Sequence, residues 1–137
     1  MKQNLKHIEE FIEKHHVLNL ATSWKNSLSI CSIFYVYDSE HMQFIFASSY
    51  ETTHIQHIQK NPQVAGNIVL ETDVVGKIQG LQISGVCTLV ENSTLKKIYF
   101  AKYPYALALM PTLWCLHVKQ FKMTDNKFGF GKKLYYP

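Results

Sequence analysis

The chain contains no arginine; all 14 of its Lys and Arg positions are lysine. A site that grips a phosphate with a planar, two-pronged cation is therefore excluded. Any anion must be held by lysine, histidine, hydroxyl or backbone N–H groups. Cysteine is scarce as well: Cys31, Cys87 and Cys115 are widely spaced, form no CxxC pair and each lies in an apolar run. That excludes a zinc knuckle or redox dithiol and predicts buried free thiols in a reducing cytoplasm. No apolar run approaches the roughly 20 residues a membrane-spanning helix needs. The polar start, Met1-Lys2-Gln3-Asn4, does not read as a secretion signal. No run of lysines is dense enough to make a nucleic-acid face.

What is present reads as one soluble globular domain over residues 1–137, with 47% hydrophobic and 18% charged residues and a net charge of +4. Leu5, Ile8, Phe11 and Ile12 recur at helical spacing and predict a helix over about residues 3–15. His15-His16 closes it, where imidazoles suit the negative end of the helix dipole. Strands are expected over 17–22, 28–37, 42–47, 64–71, 77–90, 113–123 and 128–136. Residues 28–37 read as a largely buried strand, and 77–90 as a strand bent at Gly80 or Gly85. A helix capped by Asn92 or Ser93 runs to about Lys102, and Tyr105 to Met110 reads as a short helical turn after Pro104. About seven strands with few, irregularly placed helices predict a small, mostly antiparallel barrel with peripheral helices, not a doubly wound sheet.

One stretch stands out for chemistry. Phe44 to Ala47 is apolar, Ser48-Ser49-Tyr50-Glu51-Thr52-Thr53-His54 is rich in hydroxyls, and an amphipathic helix follows to a stop at Asn61-Pro62. Ser48 with Glu51 fits a capping box. Read alone, the pattern is a helix cap; a helix start with spare N–H groups also suits an anion such as a phosphate. His54 and His57 share a helical face but lack further ligands of matching spacing, so no metal site is predicted. His57 reads as a surface residue and Trp114 as core. Gly129 and Gly131 allow close backbone approach beside Phe130. No Ser-His-Asp or paired-carboxylate arrangement, and so no catalytic acid or base, emerges from the order of residues.

Three motifs resemble the pyridoxamine 5′-phosphate oxidase-like flavoproteins, whose fold is the FMN-binding split β-barrel. The first is Phe46-Ala47-Ser48 with Thr53-His54 and Gln59-Lys60-Asn61-Pro62-Gln63-Val64-Ala65-Gly66. The second is Cys31-Ser32-Ile33-Phe34-Tyr35-Val36-Tyr37-Asp38, and the third Phe121 to Asn126 followed by Phe128-Gly129-Phe130-Gly131-Lys132-Lys133. The third looks specific to a small uncharacterised bacterial branch. The resemblance implies a mainly β split barrel acting as a homodimer, with FMN in a pocket at the subunit interface. It implies that Phe46, Ala47, Ser48, Ser49, Thr52, Thr53 and His54 surround the phosphate and ribityl end. Ser32, Ile33, Phe34, Tyr35 and Gln82 would lie along the ring, and Phe130 and Lys132 would reach it from the partner.

The chain also departs from the family. Many members carry Ser-Arg-Lys in the phosphate turn, where Thr52, Thr53 and His54 stand here, and the basic substrate-binding residues near the family's C-terminus have no counterpart. Oxidation of pyridoxamine phosphate is therefore not carried over. The resemblance implies a flavin-dependent oxidoreductase of unspecified substrate. Its alternatives are a haem-binding or haem-degrading split barrel and a non-catalytic dimeric scaffold with weak cofactor binding.

Overall fold

A computed structural model describes all residues 1–137. Helix α1 (Lys2–Glu13) leads into strands β1 (Val17–Trp24), β2 (Ser27–Phe34), β3 (Val36–Asp38) and β4 (Gln43–Ala47). Helix α2 (Thr53–Lys60), β5 (Gln63–Val69) and β6 (Gln79–Leu89) follow. Helix α3 (Ser93–Lys102), β7 (Leu113–Asp125) and β8 (Lys133–Tyr136) complete the chain. The eight strands form one antiparallel sheet in the order β2-β1-β5-β6-β7-β4-β3, with β8 beside β7. Mainly β structure and a split-barrel sheet with few helices match the sequence-based expectation.

The connection between β2 and β3 curls the sheet. They are separated only by Tyr35, yet stand at opposite ends of the strand order. One extended segment therefore leaves one edge of the sheet and joins the other, which forces the sheet to bend round. Tyr35 is locked at this corner. Its ring is 1% exposed and meets Phe44 edge-on at 5.2 Å. Its hydroxyl donates to Ile12 O at 2.7 Å, tying the corner to α1. Its carbonyl accepts from Lys102 Nζ at 3.2 Å and Tyr103 OH at 3.1 Å, tying it to α3 and the turn after it. Inside the curl, Leu18, Leu20, Phe44, Phe46, Leu81, Phe121 and Met123 pack with Ile8 and Ile12 into the main core.

Several expectations need correction. Residues 28–37 are two strands, not one, and β2 is not buried: Leu28 is 81%, Ile30 74% and Phe34 61% exposed. Strand side chains alternate faces, and only Ile33 of β2 is buried. The last strand begins at Lys133, because Asn126 to Lys132 fold into a turn in which Gly129 and Gly131 have positive φ. The bend in β6 lies at Gly85, where the register with β7 shifts. A Cβ at Gly85 would lie 2.2 Å from His117 O, so only glycine fits the bulge.

Helix α1 is fastened a second time, at its middle, through Asp125, which is fully buried. The carboxylate accepts from Gln79 Nε2 at 2.7 Å and Lys127 N at 2.9 Å, and pairs with His7 Nε2 at 2.9 Å. Burial pushes this carboxyl up, but the bonds from Gln79, Lys127 and His7 outweigh burial and hold it below the usual carboxylate range. Because its folded value is depressed, its stabilisation is present at neutral pH and lost as pH falls through that lowered value.

Urea denaturation checks these points. Tyr35→Phe should cost about 1 kcal/mol for the lost bond to Ile12, and Gly85→Ala about 3 kcal/mol or more, since backbone cannot yield to the new methyl. Asp125→Asn should remove part of the stability loss that the parent shows on acidification.

Candidate functional site

The hydroxyl-rich turn between β4 and α2 is built from both ends. Ala47 ends β4 opposite Leu113 of β7. Ser48 N donates to Thr112 O at 3.0 Å, and Trp114 Nε1 donates to Ser48 O at 2.9 Å. The Trp114 ring, buried as expected, meets Tyr50 edge-on at 5.5 Å. Thr52, not Ser48, caps α2. Its Oγ1 accepts from Ile55 N at 3.3 Å and donates to Ser49 O at 2.8 Å. The capping box read from Ser48 and Glu51 is thus replaced by a cap four residues later, because Ser48 is drawn away to β7 and to His54.

Within this turn the structure brings together Ser48, Ser49, Thr52 and His54. His54 Nε2 is hydrogen-bonded to Ser48 Oγ. Burial, and the neighbouring His57, hold the His54 imidazole below its ordinary value, so it is neutral at pH 7. The first N–H groups of α2, those of Thr53 and His54, have no partner within the helix. Thr53 itself is exposed. His57 is buried, not a surface residue: it is 6% exposed and its Nδ1 lies 2.9 Å from Thr22 Oγ1 on β1. It shares a helical face with His54 and the buried Ile58, a spacing that marks it as inward.

A second feature lies on the outer face of the sheet. Ser32 and Gln82, expected along a flavin ring, sit in one row across four strands. The register runs Ser32–Asn19–Asn67–Gln82. Ser32 Oγ donates to Asn19 Oδ1 at 2.9 Å and Asn19 Nδ2 donates to Asn67 Oδ1 at 3.0 Å. Asn19 and Asn67 were missed in the sequence; two asparagines at outward strand positions, where polar side chains are ordinary, gave no separate signal. A shallow cleft of about 280 Å³ continues from Gln82 toward Gln120 and Lys122. Strands β1, β2, β4, β5 and β6 contain no Asp, Glu or Lys at all.

Other expected residues are placed elsewhere. Ile33, Tyr35 and Phe46 turn into the core, so only their backbone can face a ligand. Phe34 points outward, and Ala47 is half-buried. Phe130 is 84% exposed and Lys132 is exposed, in the loop after β7. The turn lies at the start of β7 and this loop at its end, about 40 Å apart along an extended strand of that length. Phe130 and Lys132 therefore do not reach the turn of their own chain. A depression of about 570 Å³ runs along the mixed lysines and glutamates of α1 and includes none of these residues. Asp38, Glu40 and His41 cluster at the β3–β4 turn, but Asp38 is already bonded to His41 and Gln43 at 2.8 Å.

The family model for pyridoxamine 5′-phosphate oxidase matches residues 5–123. The chain belongs to the pyridoxamine 5′-phosphate oxidase-like split-barrel family. Within it, the chain is 31% identical over 135 residues to a UPF0306 protein of Photorhabdus laumondii, covering 96% of this chain and 94% of that one. It is 34% identical to a UPF0306 protein of Cronobacter sakazakii, with coverage of 93% and 90%. Solved structures share the fold at low identity. A putative pyridoxamine 5′-phosphate oxidase from Listeria innocua has a TM-score of 0.71 at 16% identity, covering 86% of this chain and 95% of that one. A FAD-binding protein from Mesorhizobium loti has 0.72 at 10%, with coverage of 87% and 90%. The heme storage protein HutZ from Vibrio cholerae has 0.71 at 16%, with coverage of 88% and 92%. No helix of this family member is long and apolar enough to cross a membrane.

Thr22→Val keeps the shape of residue 22 but leaves buried His57 without its hydroxyl partner. A loss of about 1–3 kcal/mol in urea denaturation is expected, with the fold retained by circular dichroism.

Proposed function

We propose that the chain is an FMN-binding flavoprotein that works as a homodimer, a flavin-dependent oxidoreductase. The observation that carries the reading is the convergence of Ser48, Ser49, Thr52 and His54 on the free N-terminus of α2. Hydroxyls, an imidazole and unpaired backbone N–H groups are the donor set that a phosphate needs when arginine is absent. The amide row from Ser32 to Gln82 supplies donors and acceptors suited to the polar edge of a flavin ring, and exposed Leu28, Ile30 and Phe34 supply apolar surface. When bound, the flavin supplies the electron transfer, while the chain anchors the phosphate and orients the ring.

The dimer follows from the same face. The outer face of β2, β1, β5 and β6, which carries no Asp, Glu or Lys and bears exposed apolar residues on edge strand β2, has the composition of a buried interface. A partner seated there would also bring its own Phe130 and Lys132 toward a turn they cannot reach within one chain. Haem is the second reading, because the donor set at the turn suits a phosphate; the histidines themselves do not exclude an axial ligand, which needs one ring nitrogen only.

Visible spectra after separate addition of FMN and haem, followed by gel filtration, test this. The account expects retained flavin bands and a light-scattering mass of two chains. A retained Soret band with no flavin, or a monomer that retains FMN, would contradict it.

A further inference from the structure

The absence of arginine makes one consequence specific to this chain. We propose that His54 couples cofactor binding to proton uptake, so that FMN is held with a proton on His54 and released as pH rises. The inference rests on the flavin reading above and concerns the regulation of that same site.

The geometry carries it. His54 Nε2 already lies against Ser48 Oγ, inside the cluster that surrounds the N-terminus of α2. Of the groups packed around it, few are charged. Strands β1, β2 and β4 bring no Asp, Glu or Lys, and Cys31 of β2 is a thiol that burial keeps protonated. The start of β7 contributes Trp114, whose indole is already bonded to Ser48 O. The turn brings Glu51, which is exposed. Helix α2 brings His57, bonded to Thr22, and Lys60 at its far end. Of the two imidazoles of α2, His54 is the one that lies against the hydroxyl cluster. In the free protein burial and His57 hold it neutral.

A bound phosphate dianion reverses that balance. An opposite charge beside an imidazole favours its protonated form. The bound-state value of His54 then lies above the free-state value. The sign follows from linkage: the extra binding is fully present below the free-state value and is lost as pH rises through the bound-state value. A lysine or arginine at this position would hold the phosphate at any pH in this range. A histidine converts the same anchor into one that loosens under alkaline conditions.

The test is calorimetric titration of the intact protein with FMN between pH 7 and pH 9, where the phosphate is already doubly ionised. The account expects Kd to rise by about tenfold over that interval, and proton uptake of up to one per FMN, read from runs in buffers of different ionisation enthalpy. Riboflavin, which has the ring but no phosphate, should bind with a Kd independent of pH. His54→Gln should bind FMN with a flat pH profile, and His54→Lys should bind it tightly and flatly. The wild-type proton count needs no variant, so misfolding of either replacement leaves the test intact. FMN binding with no pH dependence and no proton uptake overturns this inference and leaves the flavin reading standing. No FMN binding at any pH overturns both.

Discussion

The corner at Tyr35 is the constraint on which the rest depends. Strands β2 and β3 belong to one extended segment yet pair at opposite ends of the sheet, so the sheet must curl. Tyr35 makes the corner affordable by satisfying its own polar groups: the hydroxyl on Ile12 O, the N–H on His16 O, the carbonyl on Lys102 and Tyr103. A buried backbone that changes partners would otherwise leave orphaned groups, each costing about 1–3 kcal/mol. The same bonds fix α1 and α3 against the curl, so one residue orders elements from both halves of the chain.

The curl then decides what each face can do. Its inside takes the large apolar side chains and leaves little room for a ligand. Polar side chains therefore gather outside it, at the turn before α2 and in the amide row across β2, β1, β5 and β6. Strand β1 serves both features from opposite faces, with Asn19 outward in the row and Thr22 inward against His57. Charge stays off most of the strands, which suits a surface meant to be covered. Among proteins of this fold are a FAD-binding protein and a heme storage protein, so the scaffold alone does not select a cofactor.

Most of the architecture was legible because period and punctuation agreed. The α2 stop at Asn61-Pro62, the cap at Asn92 and the glycine bend in β6 all have local causes and appeared close to where the sequence put them. The errors came from non-local causes. Nothing in Leu28 to Tyr37 reveals that the chain passes at Tyr35 from one edge of the sheet to the other, so the run read as a single buried strand. Ser48 and Glu51 satisfy the local rule for a capping box, but a tryptophan 66 residues away takes Ser48 O and leaves the cap to Thr52. At the site, the hydroxyl turn and His54 were readable from composition and resemblance. The partners of Ser32 and Gln82 were not, because a row across strands is set by register, which sequence spacing does not encode.

The central claim is that FMN lies with its phosphate at the Ser48–His54 turn and its ring over the outer amide row. Backbone amide chemical shifts recorded during FMN titration test it most directly. The account predicts saturating shifts centred on Ser48 to His54 and on Asn19, Ser32, Asn67 and Gln82. Shifts confined to the α1 depression or to other surfaces, with these residues unmoved at saturation, would contradict it.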